Sequence, residues 1–160
     1  MGGRAERTAE VEVRGSSQPK PVAVCRPTPM HVPKMKQTPL SGRCACGQVV
    51  FQAMTETACA VCYCETCRRA SGSWGMAWVD AIRSSLVIHG PVSRWRSSTH
   101  AYRHFCGVCG TQLLLLEDEG EDVVEIAVGS LDQQHLVSVD HESYLASRPE
   151  WAIALKTQCG

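Results

Sequence analysis

Four cysteines of the chain form two close pairs, Cys44 with Cys46 and Cys106 with Cys109, and each pair is followed directly by glycine. Two thiols on a tight turn, where glycine lets the backbone fold around an ion, are typical of a zinc knuckle. Four thiolates at about 2.3 Å satisfy tetrahedral zinc and leave no coordination position open. The spacing therefore predicts one closed, structural zinc site.

A denser group of three cysteines, Cys62, Cys64 and Cys67, lies between the two pairs. Its last two thiols stand at the start of a predicted helix, where backbone N–H groups and the cations of Arg68 and Arg69 favour thiolate formation. Three ligands leave one coordination position for water or substrate, which is typical of a catalytic zinc. The group predicts a second, open metal site, and hence two zinc ions per chain.

Cys59 offers an alternative for the second site, because it lies three residues before Cys62. As a fourth ligand it would close the tetrahedron and make this site structural as well. The sequence does not fix the direction of the strand that carries Cys59, so both possibilities stay open.

The cellular compartment decides between metal ions and disulfides for these thiols. Ten of the 160 residues are cysteine, but the first twenty residues carry scattered charges and no apolar stretch typical of a signal peptide. No apolar run approaches the ~18 residues of a membrane span. A reducing, cytoplasmic location is therefore expected, where closely spaced cysteines bind metal. Cys25 and Cys159 have no partner spacing, and we assign them no role.

Short apolar runs separated by turn residues must position the thiols. Such runs recur about every ten residues and are enriched in Val, Ile, Leu and Trp, which predicts an all-β domain. One short helix, over 65–70, follows the three-cysteine group, and Ser41-Gly42 is predicted to form a turn. The predicted strands are 49–53, 75–79, 86–89, 93–97, 111–116 and 123–128.

The first 37 residues differ in composition from the rest. They contain five prolines, seven basic and three acidic residues, and no sustained periodicity. This predicts a disordered extension over 1–37 and a zinc-binding β domain over 38–160. The whole chain has a formal net charge of zero, so no strong basic field favours a nucleic-acid partner.

Other side chains are weaker candidates for chemistry. His104 could act as an acid or base near neutral pH, and we expect one of His100 and His104 to lie on the surface. The remaining candidates are assigned to the fold: core packing for Trp74, Trp78 and Trp95, an anchor of the C-terminal segment for Trp151, and a solvated hairpin loop for residues 117–122.

Together these motifs resemble one known family, the glutathione-dependent formaldehyde-activating enzymes, which also includes centromere protein V. The resemblance covers about residues 40–151 and places seven cysteines in register. It rests on Gly42-x-Cys44-x-Cys46-Gly47, Cys62-x-Cys64-x-x-Cys67-Arg68-Arg69-x-Ser71-Gly72, Phe105-Cys106-x-x-Cys109-Gly110 and Gly129-Ser130-Leu131-Asp132.

The resemblance implies a two-sheet β-tent fold with zinc knuckles. It also implies a structural zinc on Cys44, Cys46, Cys106 and Cys109, and a catalytic zinc on Cys62, Cys64 and Cys67. The implied activity is condensation of formaldehyde with glutathione to S-(hydroxymethyl)glutathione. Two positions depart from the family pattern: Tyr63 replaces a common histidine, and Cys59 is an additional thiol.

The chemistry of a three-thiolate zinc agrees with this activity. Such a site carries a formal charge of −1, acidifies water poorly, and suits a substrate thiolate or a polarised aldehyde oxygen. A zinc-dependent carbon–sulfur lyase acting on thiol adducts of small aldehydes is therefore expected. Arg68 and Arg69 are candidates for binding the carboxylates of a glutathione-like thiol. The alternative is a non-enzymatic zinc module that contacts a protein or chromatin partner.

Overall fold

The computed structural model describes residues 37–117 and 122–152, which contain nine strands and one α-helix. The all-β class, with one short helix after the second cysteine group, is confirmed. No helix in these two ranges is long and apolar enough to cross a membrane. The elements are β1 (Thr38–Arg43), β2 (Val50–Cys62), α1 (Glu65–Ser71), β3 (Met76–Ile82), β4 (Val87–His89), β5 (Val92–Arg96), β6 (Ala101–Cys106), β7 (Gln112–Glu117), β8 (Val123–Ala127) and β9 (Ser138–Ser143).

Several predictions concern residues outside the described ranges. They are the disordered extension, apart from Gln37, the two cysteines without a role, Cys25 and Cys159, and the centre of the acidic loop at 118–121.

The strands are hydrogen bonded in the order β1-β2-β3-β8-β7-β6-β5, and β4 and β9 pair with β2. The long strand β2 is shared by two groups of strands. Its first residues lie between β1 and β4, and its last residues, from Cys59 to Cys62, lie between β3 and β9. The register shifts between Thr55 and Cys59, where the partners change. All pairings are antiparallel except that of β2 with β9.

Alternation along the strands separates two buried clusters. On β3, Val79 and Ala81 enter the main core, which is built largely from Val, Leu, Ile and Phe side chains. Met76 and Trp78 point to the opposite face and pack in a second cluster with Cys67 and Ala127. Helix α1 lies on this second face, so the three-cysteine group is next to a small apolar cluster of its own.

Several elements differ from the sequence prediction. Strands β1, β6 and β9 were not predicted, and Ser41-Gly42 lies inside β1 instead of forming a turn. A side chain at position 42 would overlap the Phe51 ring and the Ser130 carbonyl, so glycine here permits close strand packing.

The tryptophans are only partly core residues. Trp78 is buried as predicted, but Trp95 is 40% exposed because its strand β5 lies at an end of the strand order. Trp151 is 62% exposed, so the prediction that it anchors the C-terminal segment is wrong. Arg148 and the buried Ala152 make the contacts of this segment instead.

Candidate metal centres

The first cysteine pair lies on the turn between β1 and β2. The amide of Gly47 donates to the carbonyl of Cys44 at 3.0 Å, and Gly47 has a φ of 76°. This left-handed conformation is costly for residues with a Cβ, which explains the glycine. The amide of Val49 donates to Cys44 Sγ at 3.2 Å, so the backbone stabilises negative charge on this sulfur.

The second pair lies on an equivalent turn between β6 and β7. Gly110 donates to the carbonyl of Cys106 at 2.9 Å and has the same φ of 76°. Hydrogen bonds from the side chain and the backbone of Thr111 lower the pKa of Cys109 to about 5. The two turns therefore repeat one knuckle geometry, as the paired glycines predict.

Thr111 also holds the two knuckles together, because its hydroxyl accepts the amide of Ala45 at 3.0 Å. Cys44 and Cys46 Sγ are 3.4 Å apart, and Cys46 and Cys106 Sγ are 3.8 Å apart. All four sulfurs, including Cys109, lie within 4.8 Å of one another. Neighbouring sulfurs of a tetrahedral Zn–S₄ site would be about 3.8 Å apart, so four soft donors in this arrangement fit a closed zinc site.

The three-cysteine group is assembled where β2 leads into α1. Cys62 ends β2, Cys64 is the N-cap of α1, and Cys67 is buried on the first turn. Cys64 Sγ accepts the amide of Cys67 at 3.3 Å, in the manner of a capping side chain. The three sulfurs lie within 4.8 Å of one another and could also hold a metal ion.

Electrostatics within this group favour a thiolate at Cys64. Hydrogen bonds from Cys62, then from Cys67, and the charge of Arg103 all lower the pKa of Cys64. Arg103 also donates a hydrogen bond from Nη2 to Cys67 Sγ at 3.3 Å. A cation and several donors around three sulfurs are the environment that a metal-binding thiolate group needs.

Cys59 does not belong to this group. It lies on the same strand as Cys62, but its side chain is buried in the main core, opposite the face that carries Met76 and Trp78. Burial raises the pKa of the Cys59 thiol. The described sulfurs therefore form one group of four and one group of three, and this geometry does not favour Cys59 as a fourth ligand.

Arg68 and Arg69 both follow Cys67, but neither contacts a cysteine sulfur through its Nε. Arg68 Nε donates to the carbonyl of Tyr63 at 3.1 Å. Arg69 is exposed and forms an ion pair with Glu65, four residues earlier on the helix, at 2.8 Å. A substrate-binding role for this pair stays a prediction.

The two histidines lie away from the three-cysteine group. His100 is exposed between β5 and β6. His104 is half-buried on β6 and points to the face opposite Arg103, and burial lowers its pKa. The structure does not bring either imidazole to the candidate catalytic thiols.

Tyr63 is a buried contact point that sequence reasoning treated only as a departure from the family pattern. Its hydroxyl donates to Glu142 Oε1, and Arg148 Nη1 donates to the same oxygen at 3.0 Å. Its ring stacks on Trp74 with centroids 5.6 Å apart. Tyr63 thus joins β9 and the segment after it to the loop between Cys62 and Cys64.

Arg103 contacts the three-cysteine group, and the sequence did not suggest this contact. The only available signal was its place in the run Ala101–Cys106, where alternation puts Arg103 on the same face as buried Ala101. A buried arginine is uncommon, so this pattern alone pointed to a surface residue.

A family model described as glutathione-dependent formaldehyde-activating enzyme matches residues 39–147, which is more than half of the chain. The chain belongs to this family. The matched range includes both cysteine groups, Tyr63 and Arg103.

Two further similarities agree with this membership of the formaldehyde-activating family. The chain is 33% identical over 82 residues to an uncharacterized lyase of Schizosaccharomyces pombe, a match that covers 51% of this chain and 60% of the relative. A crystal structure of a Rhodobacter sphaeroides protein aligns with a TM-score of 0.53 at 20% identity, and covers 64% of this chain and 99% of that one. The second similarity concerns the fold alone.

Proposed function

We propose that this protein is a zinc-dependent carbon–sulfur lyase that acts on thiol adducts of small aldehydes. The observation that carries the proposal is the group of Cys62, Cys64 and Cys67, whose sulfurs lie within 4.8 Å of one another and which no fourth cysteine of residues 37–117 and 122–152 joins. Membership of the glutathione-dependent formaldehyde-activating family supports this reaction, and the uncharacterized lyase of Schizosaccharomyces pombe supports the wider lyase class. The specific reaction we propose joins glutathione and formaldehyde to S-(hydroxymethyl)glutathione.

The donor set supports zinc at this centre. Three sulfurs are soft ligands of the kind that zinc prefers, and Arg103 and the Cys67 amide donate to them. A zinc ion held by three thiolates would supply Lewis acidity and one coordination position for a thiol or an aldehyde oxygen. We propose a second zinc ion on Cys44, Cys46, Cys106 and Cys109, with a structural role only.

The chain's own residues then have distinct tasks. Cys64, whose pKa is lowered, offers a thiolate at the start of α1, and Cys62 and Cys67 complete the binding group. The contacts of Tyr63 with Glu142 hold the connecting loop, so the three sulfurs keep their mutual positions. Arg68 and Arg69 stay candidates for the carboxylates of a glutathione-like thiol.

The alternative is a zinc module without catalytic activity. It would be favoured by a second site closed by four cysteines, but Cys59 is packed in the main core. The described chain gives this alternative no specific support, and we therefore place the enzyme first.

The test measures the rate at which glutathione and formaldehyde approach equilibrium with their adduct. Because thiols add to formaldehyde without a catalyst, the protein must raise this rate above the background without shifting the equilibrium. Zinc-loaded protein is expected to accelerate both formation and breakdown of the adduct. A zinc-loaded protein that leaves both rates at background would exclude the proposed activity.

A further inference from the structure

Arg103 occupies an unusual position beside the three-cysteine group. Arg103 is only 3% exposed, although arginine is rarely buried. Nη2 donates to Cys67 Sγ at 3.3 Å, and the guanidinium carbon lies 5.4 Å from the centre of the Trp78 ring. The cation is thus fixed by one sulfur and one aromatic face.

The rest of this guanidinium has no partner in the described chain. Arg103 Nε and Nη1 are buried without a hydrogen-bond acceptor, and so is the indole Nε1 of Trp78. An unpaired buried donor is costly, and the cost is larger for a charged group. Three such donors on two side chains in contact indicate an acceptor that the polypeptide does not supply.

Nearby carboxylates do not fill this role. Strand pairing places Leu115 opposite Arg103, and Glu125 opposite Leu115, so Glu125 is two strands away on the same face. Asp80 lies opposite Glu125 on the next strand, β3. Neither acid accepts a hydrogen bond from Arg103 Nε or Nη1.

We propose that Arg103 is a catalytic residue that binds the negatively charged oxygen formed when a thiol adds to an aldehyde, with Trp78 as an additional donor. This rests on the proposed function. In that step the thiolate sulfur forms a bond to the aldehyde carbon, and the electron pair of the C=O double bond moves onto the oxygen. A proton from water then converts the alkoxide into the hydroxymethyl group, and the reverse reaction breaks the same C–S bond.

The geometry suits this role better than a purely structural one. Arg103 already contacts a sulfur of the group through Nη2, so its unpaired N–H groups belong to the same planar guanidinium. Donors fixed in a dry environment stabilise a developing oxyanion more strongly than donors in water. The Trp78 ring and the Cys67 sulfur hold the cation in place before a substrate binds.

The kinetic test compares Arg103→Gln with a matched arginine variant. Arg94 lies on the neighbouring strand β5 and also has an aromatic ring beneath it, with its guanidinium carbon 5.0 Å from the centre of the Tyr102 ring. We expect Arg103→Gln to lower kcat by about a hundredfold while two zinc ions stay bound, and Arg94→Gln to leave kcat unchanged. Wild-type kcat in zinc-loaded Arg103→Gln would overturn the proposal.

A binding test does not depend on turnover. Sodium formate serves as a small anionic-oxygen probe, and its binding is followed by the ¹H–¹⁵N resonances of Arg103 Nε and Trp78 Nε1. Saturable shifts of both resonances are expected in the wild-type protein, and the shift of the Trp78 resonance should be lost in Arg103→Gln. Unmoved resonances at saturating formate would contradict the inference.

Two outcomes separate the proposals. If the wild-type protein shows no thiol–aldehyde activity but formate shifts both resonances, the proposed function fails and the anion site stands. If Arg103→Gln does not fold, Trp78→Phe keeps an aromatic side chain at this position, removes the indole N–H donor together with part of the ring, and is expected to lower kcat about tenfold. Unchanged kcat in folded Trp78→Phe, together with unmoved Arg103 resonances, would overturn the role assigned here.

Discussion

Cys59 and Cys64 lie five residues apart but have different surroundings. Cys64 caps a helix, accepts an amide hydrogen bond and lies beside two other thiols. Cys59 is surrounded by apolar side chains of the main core. Sequence spacing alone could not separate these cases, because the outcome depends on the face of β2 that Cys59 occupies and on the end of β2 before Cys64.

Replacing Cys64 should remove the second metal ion and the activity without unfolding the domain. Cys64→Ser is expected to bind one zinc ion instead of two and to lose thiol-dependent aldehyde turnover, because two thiolates cannot hold the metal tightly. Zinc analysis and adduct kinetics on the purified variant check this.

Cys59→Ala is the matched control. It should keep two zinc ions and wild-type turnover, with a stability loss on the order of 1 kcal/mol from a small core cavity. Equal zinc loss in the two variants would mean that Cys59 is a ligand after all.

Glu125 is a half-buried carboxyl group on the face that carries Arg103. Burial, followed by the charge of Asp80, raises the pKa of Glu125 to about 8. The folded state therefore holds this proton at pH values where the unfolded chain has released it. Stability should fall as pH rises from about 4.5 to about 8, by at most about 1.4 kcal/mol per pH unit.

Glu125→Gln should remove this part of the pH dependence, because an amide of similar shape does not titrate. Urea unfolding of zinc-saturated protein between pH 5 and pH 9 measures this contribution. It is the difference between the wild-type and variant curves of unfolding free energy against pH. Parallel curves across this window would show that Glu125 ionises in the folded protein as easily as in the unfolded chain.

Among the elements, α1 was predicted within one residue of its observed end, because its capping cysteine and the stop at Gly72 are local signals. The missing strands lacked such signals. Strand β9 has the sequence Ser-Val-Asp-His-Glu-Ser, which is polar and mostly exposed, and it is a strand only because β2 supplies its hydrogen bonds. Strand β6 was not predicted, because the buried Arg103 interrupts the apolar pattern that indicates a strand. The cysteine groups were predictable, while their donors from distant strands were not.

The close packing of β1 gives a test at one glycine. Gly42→Ala should destabilise the domain by about 1–3 kcal/mol, because its Cβ would overlap the Phe51 ring and the Ser130 carbonyl. Gly129→Ala is the control, since a Cβ at this position would have no neighbour within 4 Å in the described chain. Urea denaturation of both variants measures the difference. Equal stability of the two would show that β1 can move away from β2 at little cost.

Across the whole domain, the two cysteine groups differ in what they connect. The four-cysteine group joins turns about sixty residues apart, while the three-cysteine group spans six consecutive residues. A chelator should therefore remove two zinc ions in two steps, first from the three-thiol centre, with the fold retained. Following zinc release and circular dichroism together checks this. A single release step that coincides with unfolding would contradict the two-centre arrangement.

Cys106→Ser should act as a folding mutant. Cys106 is fully buried, and loss of the closed centre should remove a large part of a total stability on the order of 5–15 kcal/mol. Thermal unfolding of this variant should show a lower and broader transition than that of wild type. A wild-type transition would mean that the knuckles hold together without metal.

The parallel pairing of β2 with β9 has a consequence for local opening of the molecule. In the described chain β9 pairs only with β2, and it is largely exposed. Its end carries Glu142, which accepts from the Tyr63 hydroxyl, and Ser143, whose carbonyl accepts from the Tyr63 amide at 3.1 Å. Detachment of β9 would therefore also release the loop that holds Cys62 and Cys64. Amide hydrogen exchange along β9 should slow when metal fills the three-thiol centre, so this strand acts as a reporter of metal occupancy.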